Sequence, residues 1–172
     1  FLYNEVWGKD NDRTEAKFSH LKTIIDENNE YSGNQLNTVF AAYMNYWLAE
    51  NVGEFNTPGV LLTDAVMFAL GGSHLELGPH MLCKEDFPND NLKMTEALKK
   101  DIIHYYDFMT AYQNVLRDGG SLTTNVDIVS VDGKFEVQSW PPVKGKLCTI
   151  GRSLENQDVI HLLNLSQADS DE

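Results

Sequence analysis

Short apolar runs recur along the first 80 residues and alternate with longer stretches in which apolar positions are spaced by three or four. The runs at residues 1–8, 38–46 and 73–78 are bounded by glycine or polar residues, so they predict three buried strands. Ala41 and Ala42 would also suit a helix, but a helix start and stop that follow the second run favour a strand there. The sequence therefore predicts strands separated by helices.

The first helix is predicted between the first two strands. Asp12 followed by Glu15 resembles a capping box, and the helix is expected to end near Asp26, before a loop at residues 27–37 that is rich in Asn. Its apolar face consists of Phe18, Leu21, Ile24 and Ile25.

Two further helices follow along the chain. Thr57 as the cap and Pro58 at the first helical position begin the second helix, and Gly71-Gly72 ends it. Residues 79–91 are expected to form a long loop, and residues 92–117 have the clearest helical pattern. The apolar stripe of the second helix is Leu61, Ala65, Phe68 and Ala69, and that of the third is Leu98, Ile102, Tyr105, Met109, Tyr112 and Leu116. We expect the aromatic side chains of the third helix to pack in the core.

The pattern changes after residue 120, where short β runs are separated by turn sequences. This predicts the start of a β domain packed against the last helix. The predicted strands are residues 126–131, 134–139, 147–150 and 159–165, and residues 167–172 are expected to be a solvated acidic tail.

The spacing of the first strands indicates an α/β fold class. Leu2 to Val39 spans 37 positions and Val39 to Leu75 spans 36, the length of a strand–helix unit in a parallel α/β architecture. Three such units cannot close a (β/α)8 TIM barrel, which typically needs about 250 residues. The chain is therefore either a small open sheet or the C-terminal part of a larger barrel, and its abrupt entry into a buried strand at Phe1 favours the second.

Polar and aromatic side chains cluster at the carboxyl ends of the predicted strands, where both barrels and doubly wound sheets place their chemistry. Alternation puts Tyr3, Glu5 and Trp7 on one face of the first strand, so two rings would flank the Glu5 carboxyl. Apolar surroundings raise the pKa of a carboxyl, as a general acid near neutral pH requires. The alternative is a strand-end glutamate that meets solvent or an arginine. The other candidate rim residues are Asn4, Tyr43, Asn45, Trp47, His74, Glu76 and His80.

Composition argues against several classes of partner. The formal charge is −13, from 13 basic and 26 acidic residues. The sequence therefore lacks the excess of basic residues that binding to the phosphates of nucleic acid requires. No apolar run reaches membrane-spanning length, and we expect no membrane insertion. Cys83 and Cys148 lie far apart without metal-ligand spacing, which favours two buried or free thiols over a metal site and leaves a single disulfide open.

Six segments carry a resemblance to a known family. They are Phe-Leu-Tyr-Asn-Glu-Val-Trp at residues 1–7, the second strand at 39–46, the helix start at 56–65, the third strand at 71–78, residues 104–114 of the last helix and the late strand at 159–165. Together they closely resemble glycoside hydrolase family 66, the family of bacterial endo-dextranases and cycloisomaltooligosaccharide glucanotransferases. The similarity runs nearly from end to end.

The resemblance implies a retaining hydrolase of α-1,6-glucan built on a β/α barrel. Residues 1–120 would be its last three strand–helix units, and residues 121–172 the start of a C-terminal β-sandwich. Glu5 matches the position of the family's acid/base, and the nucleophilic Asp falls outside this chain, so the chain alone is expected to be inactive. Asp64 within a helix and Asp86 on the long loop are poor substitutes for that nucleophile.

The rim residues would then contact substrate. Trp7, Tyr43 and Trp47 are expected to stack on sugar rings, and Asn45, His74, Glu76 and His80 to bind hydroxyl groups, although Glu76 more readily suits a bracing role in the barrel. No metal or organic cofactor is expected, because two carboxyl groups suffice for this reaction.

No inserted module interrupts the sequence between Glu5 and the β runs. The glucanotransferases of the family carry an inserted carbohydrate-binding module, so the resemblance favours an endo-dextranase. The alternatives are a cycloisomaltooligosaccharide glucanotransferase and a non-catalytic glucan-binding piece. The expected partners are dextran and isomaltooligosaccharides, and the whole enzyme is expected to be a monomer that is secreted or associated with the cell wall.

Overall fold

The computed structural model describes residues 1–9 and 17–168, which form a mixed α/β structure. A parallel sheet with helices comes first, and a mostly antiparallel sheet follows the last helix. In chain order the elements are β1 (Leu2–Val6), α1 (Phe18–Ser32), β2 (Thr38–Ala42), a short 3-10 helix (Leu48–Glu50), β3 (Gly53–Glu54), α2 (Thr57–Ala69), β4 (Ser73–His74), β5 (Leu92–Lys93), α3 (Glu96–Leu116), β6 (Ser121–Thr123), β7 (Val137–Ser139), β8 (Leu147–Ser153) and β9 (Asp158–Asn164).

Three neighbouring parallel strands form the first sheet, in the order β1–β2–β4. This confirms the predicted arrangement of the three strands, although the second and third pair over fewer residues than predicted. β2 ends at Ala42, and the left-handed φ of 51° at Asn45 turns the chain soon afterwards. The third strand pairs only through Ser73 and His74, with His74 opposite Phe40.

The two faces of this sheet have different surroundings. Nδ2 of Asn28 in α1 donates to Oδ1 of Asn4 at 2.6 Å and to Oγ1 of Thr38 at 3.0 Å, so these strand positions face the helices. Period-two alternation then directs Tyr3 and Glu5 to the opposite face. Both of these side chains are exposed.

The helix α1 is longer than predicted. The expected end near Asp26 is wrong, because no residue between Asp26 and Ser32 breaks the helix and the Asn residues of this stretch are accommodated within it. The helix ends where Gly33 adopts a left-handed φ of 61° and Asn34 N–H donates to the carbonyl of Asn29 at 2.8 Å. The predicted capping box of Asp12 and Glu15 lies outside the described residues.

The second helix begins close to its predicted start, and the third begins four residues later than predicted. Asn56 precedes the first turn of α2, so Thr57 is the first helical residue rather than the cap, with Pro58 directly after it. The predicted start of α3 at Leu92 is wrong, because β5 pairs there in parallel with β3. Thr95 caps α3 instead, and its Oγ1 accepts a hydrogen bond from Leu98 N–H at 3.0 Å.

We expect Thr95→Ala to lower the free energy of unfolding by about 1 kcal/mol, because one buried N–H of the first turn of α3 loses its acceptor. Thr95→Ser is the matched control, since serine keeps the hydroxyl and should leave stability near that of the parent. Urea denaturation compares the two variants. Equal stability of the alanine and serine variants would contradict this role for the cap.

One buried core joins the β1–β2–β4 sheet to the C-terminal sheet. Phe40 of β2 and Phe68 of α2 belong to the same buried cluster as Ile150 of β8 and Leu163 of β9. Phe68 also meets Tyr106 edge-on, with ring centroids 5.3 Å apart. The predicted stripe of α3 is only partly correct. Leu98, Ile102 and Leu116 are buried and Tyr105 and Met109 pack against the core, whereas Tyr112 is half exposed.

The C-terminal sheet is centred on β8. β9 pairs antiparallel with the whole length of β8. β6 pairs antiparallel with the C-terminal end of β8, and β7 pairs parallel with its N-terminal end. The predicted strand at residues 126–131 is wrong, since Val129 and Val131 are exposed and unassigned to any strand. Strand β6 was not predicted. Of the predicted acidic tail, residues 169–172 lie outside the described part of the chain.

Cys83 and Cys148 are both buried and free, which confirms the interpretation of two thiols rather than a disulfide. Burial raises the pKa of the Cys148 thiol to about 11, so this side chain stays protonated near neutral pH. Across residues 1–9 and 17–168, no helix combines the length and apolar character needed to cross a membrane.

Candidate active site

Glu5 lies at the carboxyl end of β1, on the face of the parallel sheet away from the helices. Its side chain is exposed, and its Oε1 accepts from the hydroxyls of Tyr3 and Tyr43, each at 3.5 Å. These distances are at the long end for a hydrogen bond. The carboxylate is therefore open to a ligand from one side and steered by two phenols from the other.

Trp7 does not flank Glu5 as predicted. Its backbone has a left-handed φ of 67°, which breaks the alternation of β1, and its indole is 1% exposed and lies 6.3 Å from the ring of Phe18. The expected desolvation of Glu5 between two rings is therefore wrong. The structure places Trp7 in the core, where it has no open face for a sugar.

Tyr43 follows β2 and is also buried, so its ring is not an open stacking surface. Its hydroxyl points to Glu5. Burial, together with the charges of Glu5 and Glu85, raises the pKa of Tyr43 to about 12. Tyr43 therefore keeps its proton at neutral pH and acts as a hydrogen-bond donor to Glu5.

Trp47 is the predicted stacking ring that lies at the surface. It is 57% exposed and meets Tyr46 edge-on, with centroids 5.3 Å apart. Lys84 lies over the ring of Tyr46 at 5.3 Å and forms an ion pair with Glu50. These contacts hold the aromatic pair in place at the surface.

Two predicted hydroxyl-binding residues are engaged with backbone. Asn45 is buried, and its Oδ1 accepts from Asn56 N–H at 2.8 Å, just before α2 begins. His80 donates from Nδ1 to the carbonyl of Leu92 at 2.7 Å and is half-buried. These contacts fix the rim loops, and only His80 keeps part of its surface open.

His74 and Glu76 face the helix layer instead of Glu5. Nδ1 of His74 lies 2.8 Å from Oδ1 of Asp64 in α2 and 3.2 Å from Oε1 of Glu76. The hydroxyl of Tyr106 in α3 donates to the carbonyl of His74. The side chains of Asp64 and His74 are 0% and 1% exposed, so this cluster joins β4 to both helices and suits a bracing role.

The electrostatics of this cluster follow from its burial. Burial raises the pKa of Asp64, and the hydrogen bond and charge of His74 only partly oppose this. Burial alone would lower the pKa of His74, but its contacts with Asp64 and Glu76 outweigh that effect and raise it to about 10. The imidazole is therefore charged at neutral pH and offsets the buried carboxylates.

The same three side chains are also the group that could hold a metal ion among the described residues. Their ligand atoms lie within 4.8 Å of one another. The 2.8 Å separation of Asp64 and His74 is an ordinary hydrogen-bond distance, so an ion pair accounts for the arrangement.

Sequence analysis missed one carboxylate beside the rim. Glu85, on the loop after β4, accepts from Lys9 N–H at 2.5 Å and lies close to Gly8 and Tyr43. Lys9 and Glu85 are separated by 76 positions, and no local pattern links them. Asp86, the neighbouring residue considered from sequence, is exposed.

Comparisons of sequence show the family. The profile of glycosyl hydrolase family 66 matches residues 1–172. A cycloisomaltooligosaccharide glucanotransferase from Niallia circulans is 33% identical over 124 residues, covering 66% of this chain and 12% of that protein. A dextranase from Streptococcus salivarius is 23% identical over 201 residues, covering 95% of this chain and 24% of that protein. This chain thus spans a quarter or less of the length of these curated relatives.

Comparison of structures supports the mixed α/β fold. The crystal structure of a Paenibacillus cycloisomaltooligosaccharide glucanotransferase complexed with cycloisomaltoheptaose matches with a TM-score of 0.77 at 17% identity. The match covers 99% of this chain and 41% of that one. The resemblance found in the sequence is confirmed, because the family profile extends over the entire chain: it belongs to glycosyl hydrolase family 66.

Proposed function

We propose that this chain is part of an endo-dextranase that hydrolyses α-1,6-glucosidic linkages with retention of configuration, and that Glu5 is its acid/base. The observation that carries the proposal is the exposed Glu5 carboxylate at the carboxyl end of a parallel strand, with the Tyr43 hydroxyl directed at it. In this proposal residues 1–120 are the last three strand–helix units of a TIM barrel. Residues 121–172 begin a C-terminal β-sandwich.

The chemistry requires two carboxyl groups about 5 Å apart. In the first step the nucleophilic carboxylate bonds to the anomeric carbon, the glycosidic bond breaks, and Glu5 gives its proton to the departing oxygen. In the second step Glu5 takes a proton from water, whose oxygen displaces the nucleophile. The family resemblance implies that the nucleophile lies outside this chain. Asp64, which is fully buried, and Asp86, which is exposed, are poor substitutes for it.

Substrate contacts follow from exposure. Trp47 is 57% exposed beside the rim, which suits stacking of its indole on a glucose ring. His80 is the remaining candidate for a hydroxyl contact. The other predicted rim residues support the rim through the core and helix contacts described above; they are Trp7, Asn45, His74 and Glu76. The substrates are dextran and isomaltooligosaccharides, and the whole enzyme is a monomer that is secreted or attached to the cell wall.

A cycloisomaltooligosaccharide glucanotransferase is the second candidate, because the Niallia circulans relative with that name reaches 33% identity. Both enzymes would share the first step. They differ in what attacks the glucosyl intermediate: water in hydrolysis, and a hydroxyl group of the same glucan chain in cyclisation.

Product analysis of the intact enzyme with dextran tests the proposal. We expect reducing ends to accumulate with linear isomaltooligosaccharides and the α-anomer to form first, as proton NMR would show. Cyclic products without new reducing ends would instead support the glucanotransferase. Binding of dextran without bond cleavage would contradict both and support a non-catalytic glucan-binding protein. The isolated 172-residue chain is expected to show no turnover.

A further inference from the structure

We propose that Glu85 is a positioning residue for the acid/base: it fastens the loop after β4 to the turn after β1 and so fixes Tyr43 and Glu5 relative to each other. The inference rests on the proposed role of Glu5. It assigns a task to a carboxylate that neither protonates nor attacks the sugar.

The first contact joins Glu85 to the strand that carries Glu5. Oε1 of Glu85 accepts from the backbone N–H of Lys9 at 2.5 Å, four residues beyond Glu5. A hydrogen bond from an N–H to a charged carboxylate is about twice as strong as a neutral one. Oε2 of the same carboxylate is buried and has no hydrogen-bond partner within residues 1–9 and 17–168. The carboxylate is therefore held in place mainly through Lys9.

Gly8 makes this contact possible. A Cβ at Gly8 would lie 2.1 Å from Oε1 of Glu85 and 3.2 Å from Cδ2 of Tyr43. Any other residue at position 8 would therefore displace the carboxylate, the Tyr43 ring or both. The close approach of the Glu85 carboxylate, rather than a special backbone conformation, favours glycine here.

The same loop is also bonded to the residues directly after β2, which include Tyr43. Met44 N–H donates to the carbonyl of Leu82 at 2.7 Å, and Tyr43 pairs with Leu82 in an isolated parallel bridge. Tyr43 N–H in turn donates to the carbonyl of Val6 at 3.0 Å. Residues 82–85 are therefore attached at both ends: Leu82 contacts the residues that follow β2, and Glu85 contacts the turn that follows β1.

The arrangement determines the position of the Tyr43 hydroxyl. The Tyr43 hydroxyl is directed at the Glu5 carboxylate, and the charges of Glu5 and Glu85 both act to keep its proton in place. Without Glu85 the turn at Gly8 and Lys9 would be held less firmly, and the 3.5 Å contact between Tyr43 and Glu5 would lengthen or be lost. An error of about 1 Å in a catalytic group can lower the rate by about 100-fold.

The test uses Glu85→Ala and Glu85→Gln in the intact enzyme. We expect Glu85→Ala to lower kcat on dextran by about 10- to 100-fold with KM changed less than about 3-fold. Glu85→Gln should keep most of the activity, because its amide oxygen still accepts from Lys9 N–H. Asp86→Ala removes the adjacent exposed carboxylate and is the matched control, which should match the parent.

A double-mutant cycle separates positioning from general loss of structure. In the Glu5→Gln background, Glu85→Ala should cause no further loss, because the group that Glu85 positions no longer transfers a proton. Gly8→Ala disturbs the same contact by displacing the Glu85 carboxylate and should reproduce the kcat loss. The double variant of Gly8→Ala and Glu85→Ala should lose no more activity than Glu85→Ala alone. Unchanged melting temperatures would show that the variants fold.

Three results would overturn the inference. They are full activity of Glu85→Ala, an equal fold-loss in the parent and Glu5→Gln backgrounds, and additive losses from Gly8→Ala and Glu85→Ala. If Glu5→Gln itself keeps full activity, the proposed function and this inference both fail. If Glu5→Gln is inactive while Glu85→Ala is fully active, only the inference fails.

Discussion

Glu5→Gln is expected to lower the rate of dextran cleavage by the intact enzyme by about 100- to 10,000-fold. Glutamine has nearly the same shape as glutamate and can still accept from the hydroxyls of Tyr3 and Tyr43, but it can neither give a proton to the departing oxygen nor take one from water. The loss should appear in kcat. Binding of dextran, measured by equilibrium dialysis, should change little.

The choice of substrate sharpens this experiment. A glucosyl fluoride releases fluoride without help from an acid, so the first step should survive in Glu5→Gln while cleavage of dextran does not. Release of fluoride in a burst, followed by slow turnover, would show that the second step has lost its base. Glu30→Gln, at an exposed glutamate of α1, is the matched control and should behave as the parent. An equal loss in dextran cleavage and in the initial release of fluoride would rule out acid/base catalysis by Glu5.

The position of Glu5 could be predicted from sequence because it depends on local pattern. An apolar run with one carboxylate and a following glycine predicts a strand end, and near-equal intervals between such runs predict parallel strands. Both properties are set by neighbours in the sequence. The structure accordingly has β1, β2 and β4 side by side, with Glu5 at the carboxyl end of β1.

The orientation of individual rim side chains could not be predicted in the same way. Alternation placed Trp7 beside Glu5, but the left-handed backbone at Trp7 turned the indole into the core, and this conformation is uncommon for a bulky residue. For His74, alternation alone leaves two faces open. Its pairing opposite Phe40, a long-range property, places it on the helix side of the sheet.

Contacts between distant segments likewise could not be predicted from patterns in the sequence. Glu85 meets Lys9 across 76 positions, and Asp64 reaches His74 only because α2 returns along the sheet to β4. The missed length of α1 and the false strand at residues 126–131 have a simpler origin, since propensity is a weak guide where no glycine, proline or buried face decides.

His74→Ala is expected to lower the free energy of unfolding by about 3–5 kcal/mol, because it leaves the buried carboxylate of Asp64 without its charged partner. For a protein of this size that loss corresponds to a fall of about 6–20 °C in melting temperature. Asp64→Asn should cost less, since asparagine still accepts from the imidazole and removes a buried charge. His104→Ala, at an exposed histidine of α3, is the matched control and should have little effect.

The pH dependence distinguishes this ion pair from simple loss of packing. The folded pKa of His74 is raised to about 10, above the ordinary value of 6.5, so the folded protein holds a proton that the unfolded chain releases between these values. The stability contributed by His74 is therefore complete below pH 6.5 and is lost as pH rises towards 10. Urea denaturation at several pH values should show this decline in the parent and its absence in His74→Ala. Parallel curves for the two proteins would mean that His74 contributes by packing alone, as a neutral imidazole.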